Sequence, residues 1–530
     1  MLLLNLGGDN RKLTFHEVLF AQPAKEMVET GNWILPKFVG VPSTHKPPGT
    51  HWAIAALMTL TGSEAEGVVR LPTVLAAILT ALIVAAMAAR WFGSHVGLVA
   101  GLMQLTIYYV LQLSRQAVSD MLLIAAVTGA MACFALTHVE SPRGRVQARW
   151  VPWLFYAAAA LAYLFKGLIG PAFIFSGCVL FLLVSRDLRG LKFFLDPLGV
   201  AIFLFCVVGW FTAAYAQYPP ILDAHLMHQF GRFEGEMGGH KPPLFYAYSI
   251  LLITLPWAPF IVAGIVHGVR KGMHAEPLWR FAACWVIPGM VLLSLSAFKS
   301  KHYAAPLMPP LTIIAALSLL GYLRYRHGSG ARAHLAEAAL IAGSVVSGLI
   351  AVRIFQPRGA DTISVLTLVL GAGLLLATWF EYRRQMTQAL VTIFATTWLT
   401  ISGALSLVMP HHDSYREQTL MAERINQAVP AGHKLYLLQM LPNGENQITY
   451  YLKPPLKRVD EPADFAGVLA AEGNELYVLA PQLASVHLSH LGTVDVLDSC
   501  PACRKQKETD RLTLFKLSRP TALSLTERME

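Results

Sequence analysis

Long apolar runs dominate the chain from residue 68 to residue 408. An α-helix needs roughly 17–25 apolar residues to cross a bilayer, and about twelve segments of this kind follow one another between short polar connections. The pattern predicts a mostly α, polytopic membrane protein. The predicted spans are 68–90, 95–114, 118–138, 151–165, 167–184, 196–216, 244–268, 276–297, 304–324, 333–355, 362–381 and 388–408.

The connection between segments 151–165 and 167–184 decides the orientation of every later span. These segments meet at Lys166 and Gly167, and one long broken span there would invert everything that follows. The positive-inside rule favours two spans, because every alternate connection is basic when residues 14–52 lie outside the membrane. The cytoplasmic connections then contain Arg90; Arg143, Arg145 and Arg149; Arg186, Arg189 and Lys192; Arg270, Lys271 and Arg280; Arg324, Arg326 and Arg332; and Arg383 and Arg384.

The same orientation places the 217–243 loop and the C-terminal part of the chain outside the membrane. A first loop on that side should be entered from a preceding span, but residues 1–6 are too short to cross. They also lack the basic start and long apolar region of a signal peptide. We therefore expect that Met1 lies inside an original first span, which would give about thirteen spans in all. An upstream reading frame that encodes an apolar run would support it, and a stop codon directly before Met1 would refute it.

The pattern changes after Met409. Residues 411–530 alternate amphipathic and strand-like runs, which predicts a small α/β domain outside the membrane, either a cap on the active site or a binding module. The predicted organisation is a transmembrane domain at 1–410, with catalytic outer loops at 5–66 and 217–243, and a soluble domain at 411–530. The predicted helices of the soluble domain are 414–428 and 463–471, and its predicted strands are 434–439, 475–479, 494–497 and 512–515.

Composition supports the membrane class. The chain has 530 residues, of which 55% are hydrophobic and 14% charged, and its mean hydropathy is +0.49. Soluble domains have about 25% charged residues. The net charge of +10 is compatible with nucleic-acid binding. However, the basic residues lie in short clusters between apolar runs, where they set membrane topology instead, and we expect no nucleic-acid partner.

Six cysteines are present. Four lie within predicted spans and are expected to pack there. The other two form the Cys500-Pro-Ala-Cys503 motif of the outer domain. Such a pair can be redox-active or bind metal, but it cannot complete a four-ligand zinc site alone. A plain disulfide in an oxidising compartment is the favoured interpretation.

The first outer loop carries the clearest candidate for catalysis. Glu17 follows His16 and precedes a predicted helix over 18–29. A carboxylate here could act as general base for a hydroxyl or amine nucleophile. The alternative is a capping box, in which Thr14 is the N-cap and Glu17 lies three residues on. The two interpretations are compatible, because a cap also orients the side chains beside it.

The tetrapeptide His-Lys-Pro-Pro occurs twice, at 45–48 and at 240–243. Prolines after a lysine restrict the backbone, and a rigid lysine at a membrane surface suits an anionic head group such as a phosphate. An interfacial lysine that extends its charge toward water is the alternative. Both copies lie on the same side by the charge rule, so Lys46 and Lys241 could face one site.

More ionisable residues lie at the outer ends of predicted spans. Each alone is explained as well by an interfacial anchor or an internal ion pair, although charges at membrane depth point first to function. Together they predict a cationic rim around Glu17 that would fit a lipid-linked phosphate. The members are Arg115, Asp120, Lys166, Lys299, Lys301 and His302.

These motifs follow a particular order. After the acidic first-loop motif come G-x-W-x-x-P (Gly31, Trp33, Pro36), K-P-P before an aromatic residue (46–52) and S-R-x-x-x-x-D (114–120). Next come Lys166-Gly167, H-K-P-P (240–243), Pro256-Trp257 and S-K-H-Y-x-x-P-L-x-P-P (300–310). Over roughly residues 10–410 the chain resembles the GT-C glycosyltransferases, of the type of the protein O-mannosyltransferases and the lipid A aminoarabinose transferase (glycosyltransferase families 39 and 83).

The resemblance implies an inverting transferase in the cytoplasmic (inner) membrane. Its donor would be a sugar on a polyprenyl phosphate, and the active site and the 411–530 domain would face the periplasmic side. A first-loop carboxylate would be the base. Cationic residues would stabilise the leaving phosphate, and Tyr303 of the S-K-H-Y motif would belong to the same site. The acceptor could be a protein hydroxyl, lipid A, another glycan or a lipid, and neither acceptor nor sugar follows from the residues.

Two departures from the family pattern concern the mechanism. The family has Asp-Glu in the first loop, with the Asp as base, where this chain has His16-Glu17. Glu17 is favoured here, although histidine is itself a general base near neutral pH. In the aminoarabinose transferase an acidic residue and a histidine bind zinc. His45 and His240 occupy the corresponding positions, and two histidines could ligate zinc.

A transporter or lipid flippase is the alternative of another class, because about a dozen spans is also a common transporter size. Transporters place charges near the bilayer midplane in broken helices and are built from internal repeats. In this chain the charges gather at one face, and the two H-K-P-P steps are too short to count as a repeat. A membrane scaffold with a partner-binding outer domain would leave the ordered first-loop motifs unexplained.

Overall fold

The computed structural model divides the chain into two compact units. We call the unit formed by Met1–Leu6, Thr44–Thr50 and Arg70–His411 the membrane unit, and the unit formed by Gly7–Ser43, His51–Val69 and His412–Glu530 the sheet unit. The residues that the structure describes are 2–8, 11–44, 46–234, 241–242, 244–272, 276–296, 299–327, 331–355, 360–408, 416–438, 446–472, 475–500 and 511–519.

Helices make up most of the described chain. In chain order they are α1 (Phe15–Thr30), α2 (Gly49–Thr61), α3 (Glu66–Phe92), α4 (Ser94–Thr106), α5 (Tyr108–Ser114), α6 (Ser119–His138), α7 (Trp150–Lys166), α8 (Ile169–Val184), α9 (Pro197–Gln217), α10 (Ile221–Glu234), α11 (Phe245–Ile253), α12 (Ala258–Arg270), α13 (Pro277–Leu295), α14 (Met308–His327), α15 (Ala331–Phe355), α16 (Ala360–Tyr382), α17 (Met386–Gly403), α18 (Arg416–Ala428), α19 (Phe465–Glu472) and α20 (Ala484–Leu488).

The strands are short and belong to the sheet unit. They are β1 (Lys37–Phe38), β2 (Val41–Pro42), β3 (Leu435–Leu438), β4 (Leu456–Val459), β5 (Glu475–Pro481), β6 (Thr493–Ser499) and β7 (Leu512–Ser518). Short 3-10 helices at Leu188–Leu195, Lys301–Leu307, Asn446–Tyr451 and Pro462–Asp464 connect some of the longer elements.

Each of the predicted spans coincides with a helix or a broken helix pair, so the mostly α, polytopic class is confirmed. Within the described residues, seven helices are long and apolar enough to cross a membrane, or eight if α4 and α5, bent by 64°, form one span. The number is smaller than predicted because some segments are short or interrupted. Helices α7 and α8 have 17 and 16 residues, and segment 244–268 is divided between α11 and α12.

The predicted break at Lys166-Gly167 is a chain reversal. Gly167 has φ 75°, in the region that favours glycine, and it follows the last residue of α7. A Cβ on Gly170 would lie 2.7 Å from the carbonyl oxygen of Ala162. Residues eight apart along one helix would be about 12 Å apart. The two segments are therefore separate helices, as the prediction of two spans requires, because one long broken span would not bring these residues together.

The sheet unit contains a five-stranded mixed sheet in the order β4-β3-β5-β7-β6. Strands β4, β3 and β5 are parallel, and β7 runs antiparallel to both β5 and β6. The predicted strands at 434–439, 475–479, 494–497 and 512–515 are β3, β5, β6 and β7, and the predicted helices are α18 and α19. Strand β4 was not predicted, because an edge strand containing Lys457 and Arg458 has no apolar alternation to detect.

Part of the first loop is folded into the sheet unit. Val39, in the turn between β1 and β2, belongs to the same buried core as Leu437, Leu479 and Leu514, and Phe38 packs against it. Most of the 5–66 loop, which the sequence analysis places in the transmembrane domain, therefore groups with the sheet, in the unit that also contains His412–Glu530.

Candidate active site

A buried ion pair links two helices of the membrane unit. Asp120, the second residue of α6, accepts a hydrogen bond from the ammonium of Lys166, the last residue of α7. The two side chains are only 12% and 8% exposed. A carboxylate at a helix N-terminus and a cation at a helix C-terminus are each favoured by the helix dipole. The internal ion pair that the sequence left open for these residues is thus present.

Two further basic side chains interact with the Asp120 carboxylate. Lys46, from the first H-K-P-P step, and His302 both interact electrostatically with Asp120, as Lys166 does. Two lysines against one aspartate leave a positive charge even with His302 neutral. We call Lys46, Asp120, Lys166 and His302 the cationic cluster. Its net charge can attract an anion.

The residues after Lys46 fit closely against α7. Pro47, Pro48 and Gly49 are buried, and α2 begins at Gly49. A Cβ on Gly49 would lie 2.8 Å from the carbonyl oxygen of Leu164, so only glycine lets the backbone approach this helix. The two restrained prolines and the close contact at Gly49 therefore fix the backbone position from which the Lys46 side chain extends.

Three residues of the S-K-H-Y motif belong to the cationic cluster or contact one of its members. The Ser300 hydroxyl and the His302 Nδ1 atom lie 2.9 Å apart, and the Ser300 main-chain N–H donates to the hydroxyl of buried Tyr246 at 3.3 Å. The Tyr303 ring lies beneath the Lys166 ammonium at 4.8 Å and contacts the His302 ring. Such a ring face stabilises a cation. Tyr246 was missed in the sequence, and its position beside the second K-P-P step was the available signal.

Three other predicted phosphate ligands have different surroundings. Lys299 is buried and donates to the carbonyl of Ser296 at 2.5 Å. Lys241 is exposed, and its ammonium lies 4.6 Å from the centre of the Phe245 ring. Lys301 is exposed. Their predicted role as phosphate ligands stays a prediction.

Arg115 is buried and contacts the first residues of the chain. Its guanidinium donates to the carbonyls of Leu2 and Asn5, both at 3.0 Å. Arg70, equally buried, donates to the carbonyl of Leu6 at 2.7 Å. Arg70 was missed in the sequence, although an arginine in an apolar run of α3 is a signal in itself. The Arg115 charge thus has main-chain partners in addition to its predicted role.

In the sheet unit, Glu17 lies at the start of α1 and is 1% exposed. Its Oε2 atom accepts the main-chain N–H of Thr14 at 2.8 Å, and the Glu17 N–H donates to the Thr14 carbonyl at 3.0 Å. The capping box expected from the sequence is therefore formed. His16, in contrast, is exposed and contacts the Phe15 ring. The capping contact orients Glu17, and its role as base stays a prediction.

The predicted zinc ligands, His45 and His240, both lie outside the described residues. Within the described part of the chain no cluster of three or more histidine, cysteine or acidic side chains is arranged to bind a metal ion. Cys500 is disulfide-bonded, as the favoured interpretation of the Cys-Pro-Ala-Cys motif requires, and Cys503 lies outside the described residues.

Sequence comparison relates the chain to two groups of glycosyltransferases. Residues 45–211 match the family described as dolichyl-phosphate-mannose-protein mannosyltransferase. Curated relatives named undecaprenyl phosphate-alpha-4-amino-4-deoxy-L-arabinose arabinosyl transferase are 27% identical in Aeromonas salmonicida and 28% identical in Edwardsiella ictaluri. The alignments cover 58% and 60% of this chain. They span only 55% and 56% of the relatives, little more than half their length.

Structural comparison extends over nearly the whole chain. The crystal structure of ArnT from Cupriavidus metallidurans bound to undecaprenyl phosphate matches with a TM-score of 0.80. The match covers 98% of this chain and 97% of that one at 21% sequence identity. The fold is therefore that of a multi-pass GT-C glycosyltransferase with a small C-terminal sheet domain. Within this class the resemblance is to the lipid A aminoarabinose transferase type, as the motifs predicted.

Proposed function

We propose that the chain is an inverting glycosyltransferase that moves a sugar from a polyprenyl-phosphate donor to an acceptor at the outer face of the membrane. The fold and the order of the motifs support this class. The names of the relatives refer to undecaprenyl phosphate and 4-amino-4-deoxy-L-arabinose, which makes an aminopentose on undecaprenyl phosphate the first donor to test. None of the relatives compared above is named as a transporter or flippase.

The observation that carries the proposal is the positive charge of the cationic cluster. When the sugar leaves, negative charge grows on the oxygen of the departing polyprenyl phosphate. Fixed cations aimed at that oxygen stabilise the transition state more than the ground state. Lys46 and Lys166 can bind the phosphate while Asp120 orients Lys166, and Tyr303 lies beneath the same ammonium. The remaining proposed phosphate ligands are Arg115, Lys241, Lys299 and Lys301.

The acceptor nucleophile must lose a proton as it attacks the anomeric carbon. We assign this proton to Glu17, because a carboxylate oriented by a main-chain N–H is suited to a general base. His16 is the alternative acceptor for the proton. Attack from the face opposite to the phosphate inverts the anomeric configuration.

The proposed location is the cytoplasmic membrane, with the sheet domain and the predicted active-site loops on the periplasmic side. The alternation of basic connections supports this orientation. Single cysteines introduced into a variant without the native cysteines can test it. Residues 453 and 482 of the sheet unit should react with a membrane-impermeant maleimide in intact cells deprived of their outer membrane. Residue 271 should react only after lysis, and the reverse pattern would refute the orientation.

The activity itself can be tested with purified protein in vesicles that contain undecaprenyl-phosphate-linked 4-amino-4-deoxy-L-arabinose and candidate acceptors. Release of undecaprenyl phosphate is the expected result. The Lys46→Ala variant should lose at least about a hundredfold in turnover, the scale of a lost charge-stabilising donor. Lys271→Ala, an exposed lysine at the end of α12, is the matched control and should keep wild-type turnover.

Two results would contradict the proposal. Wild-type turnover in Lys46→Ala would refute the assignment of the cationic cluster. Movement of the lipid-linked sugar across the vesicle without release of undecaprenyl phosphate would favour a flippase. Mass spectrometry of glycolipids and glycoproteins from a deletion strain would then separate the lipid, glycan and protein classes of acceptor.

A further inference from the structure

Two adjacent tyrosines of the sheet unit contact distant parts of the same unit. One contacts the segment just before α1, and the other contacts the turn just after α2. Tyr450 and Tyr451 end the 3-10 turn Asn446–Tyr451. Tyr450 is buried and Tyr451 is partly buried. Their hydroxyls bond to residues more than 380 positions earlier in the chain. Buried tyrosine hydroxyls generally have a hydrogen-bond partner. The two tyrosines differ in the segment that supplies this partner.

The Tyr451 hydroxyl lies at the entrance to α1. It accepts the main-chain N–H of Leu13 at 2.8 Å and donates to the carboxylate of Glu66 at 3.2 Å. The Lys12 ammonium lies 3.5 Å from the same carboxylate and 5.5 Å from the centre of the Tyr451 ring. The hydroxyl is thus held from two sides, once as acceptor and once as donor.

The contact with Leu13 is one residue away from the capping box. The N–H of Leu13 donates to Tyr451, and the next N–H along the chain, that of Thr14, donates to Glu17. Consecutive residues are only 3.8 Å apart along the backbone. Leu13 is fully buried, so water cannot replace the tyrosine hydroxyl there without rearrangement. The position of this hydroxyl therefore determines how the chain enters the helix that carries Glu17.

Tyr450 makes an equivalent contact elsewhere. Its hydroxyl donates to the carbonyl of Glu64 at 2.6 Å, in the turn between α2 and α3. Lys25 lies 5.6 Å from the centre of its ring and pairs with the Glu64 carboxylate at 2.8 Å. The Tyr450 hydroxyl thus bonds to the turn between α2 and α3 and not to the start of α1. Tyr450 therefore serves as a control for Tyr451.

We propose that Tyr451 is a positioning residue: its hydroxyl orients the start of α1, and through it the Glu17 carboxylate, for proton transfer. The proposal rests on the proposed function, because it assigns Tyr451 to the same reaction. A displacement of about 1 Å at a reacting group can reduce the rate substantially. The effect should fall on the chemical step and not on donor binding, since the Tyr451 hydroxyl bonds to Leu13 and Glu66, and neither is a predicted phosphate ligand.

The test compares Tyr451→Phe with Tyr450→Phe, because each variant removes one hydroxyl and keeps the ring. Tyr451→Phe should lower kcat about tenfold, the scale of one net hydrogen bond, and leave the KM for the donor within about twofold. Tyr450→Phe should keep kcat within about twofold. Amide hydrogen exchange gives a readout without activity. Exchange at Leu13 should become faster in Tyr451→Phe and stay unchanged in Tyr450→Phe.

Each outcome separates this proposal from the proposed function. If wild-type protein is active and Tyr451→Phe matches its kcat, the positioning role is overturned and the transferase assignment stands. If wild-type protein releases no polyprenyl phosphate, the proposed function fails and the positioning role fails with it. If thermal unfolding shows that Tyr451→Phe does not fold, Glu66→Gln is the second variant. It should lower kcat about threefold by weakening the hydroxyl's acceptor, and wild-type kcat there would also overturn the proposal.

Discussion

Asp120 and Glu17 are both carboxylates removed from solvent, but the protein stabilises them in different ways. Asp120, 9% exposed as a whole residue, pairs with the Lys166 ammonium and interacts with Lys46 and His302. Glu17, 1% exposed, accepts the main-chain N–H of Thr14 at the start of α1. The first carboxylate belongs to a group of charged side chains, and the second is oriented by the backbone of its own helix.

The difference matches the chemistry proposed for each. Ammonium partners add net positive charge, so the surroundings of Asp120 can attract a phosphate. A main-chain N–H fixes the orientation of a carboxylate without adding net charge, which suits a group that must accept a proton. The same residue type can therefore organise an anion site in one unit and supply a base in the other.

The largest expected effect comes from removing the partner of Asp120. Lys166→Met should lower the free energy of unfolding by about 3–5 kcal/mol, because one buried charge then lacks its ion-pair partner. The measurement is thermal or chemical unfolding of the purified protein in detergent. Undecaprenyl phosphate release should also fall, since the cationic cluster loses one of its two lysines.

The double variant Asp120→Asn/Lys166→Met separates these effects. It should recover most of the lost stability, because no buried charge is left without its partner. It should not recover turnover: the net charge of the cationic cluster is again that of the wild type, but the Lys166 ammonium proposed to bind the leaving phosphate is still missing. Wild-type stability in Lys166→Met alone would show that Lys46 and His302 suffice to neutralise Asp120. The ion pair with Lys166 would then not be what stabilises Asp120, and the contrast with Glu17 would no longer hold.

The second prediction concerns Glu17. Glu17→Gln should reduce turnover at least about a hundredfold, the scale of a lost general base, or roughly 2.7 kcal/mol of activation free energy. Stability should change little, because glutamine can replace glutamate in a capping box. Turnover is measured as release of undecaprenyl phosphate, and stability as the midpoint of thermal unfolding.

His16→Gln is the matched variant, one residue away and exposed. It should keep turnover close to that of the wild type. If His16→Gln loses the activity and Glu17→Gln keeps it, the base is the histidine that replaces the expected aspartate, and Glu17 serves only as a cap.

The helices were predictable from the sequence because crossing a bilayer is a local requirement, met by each apolar run alone. The grouping of the first loop with the sheet was not, because Val39 joins a core whose other members begin at Met421. Nothing in the periodicity of either segment records that contact. Strand β4 was missed for a related reason, since its partner β3 determines its existence more than its own four residues do.

The candidate site shows the same division. The sequence indicated Lys46, Lys166 and His302 by residue type and motif, but not that all three interact with Asp120. That arrangement depends on how α6 and α7 pack. The contact of Tyr451 with Leu13 could not be predicted, because the two residues lie 438 positions apart. Local chemistry identified the participants, and tertiary packing determined which of them meet.

The smallest expected effect concerns a third carboxylate, Glu26 in α1, which resembles Glu17 in its main-chain partners. Its two oxygens accept the N–H groups of Val39 at 2.6 Å and Gly40 at 3.0 Å, in the β1–β2 turn. Burial nevertheless raises the pKa of Glu26 above its ordinary value of 4.5, and the hydrogen bonds from Gly40, Gln22 and Val39 offset this only in part. Backbone donors alone thus do not fully compensate for lost hydration at this site.

The sign of the resulting pH dependence follows from linkage. Because the folded pKa lies above the unfolded value, the folded protein binds the Glu26 proton more tightly. The stability that this proton contributes is fully present below about pH 4.5 and is lost as pH rises through the folded pKa. Glu26→Gln, which stays neutral, should therefore lose less thermal stability than the wild type between pH 4.5 and pH 7. Glu423→Gln, on the exposed side of α18, should follow the wild-type curve, and parallel curves for wild type and Glu26→Gln would show that the β1–β2 turn compensates the buried charge completely.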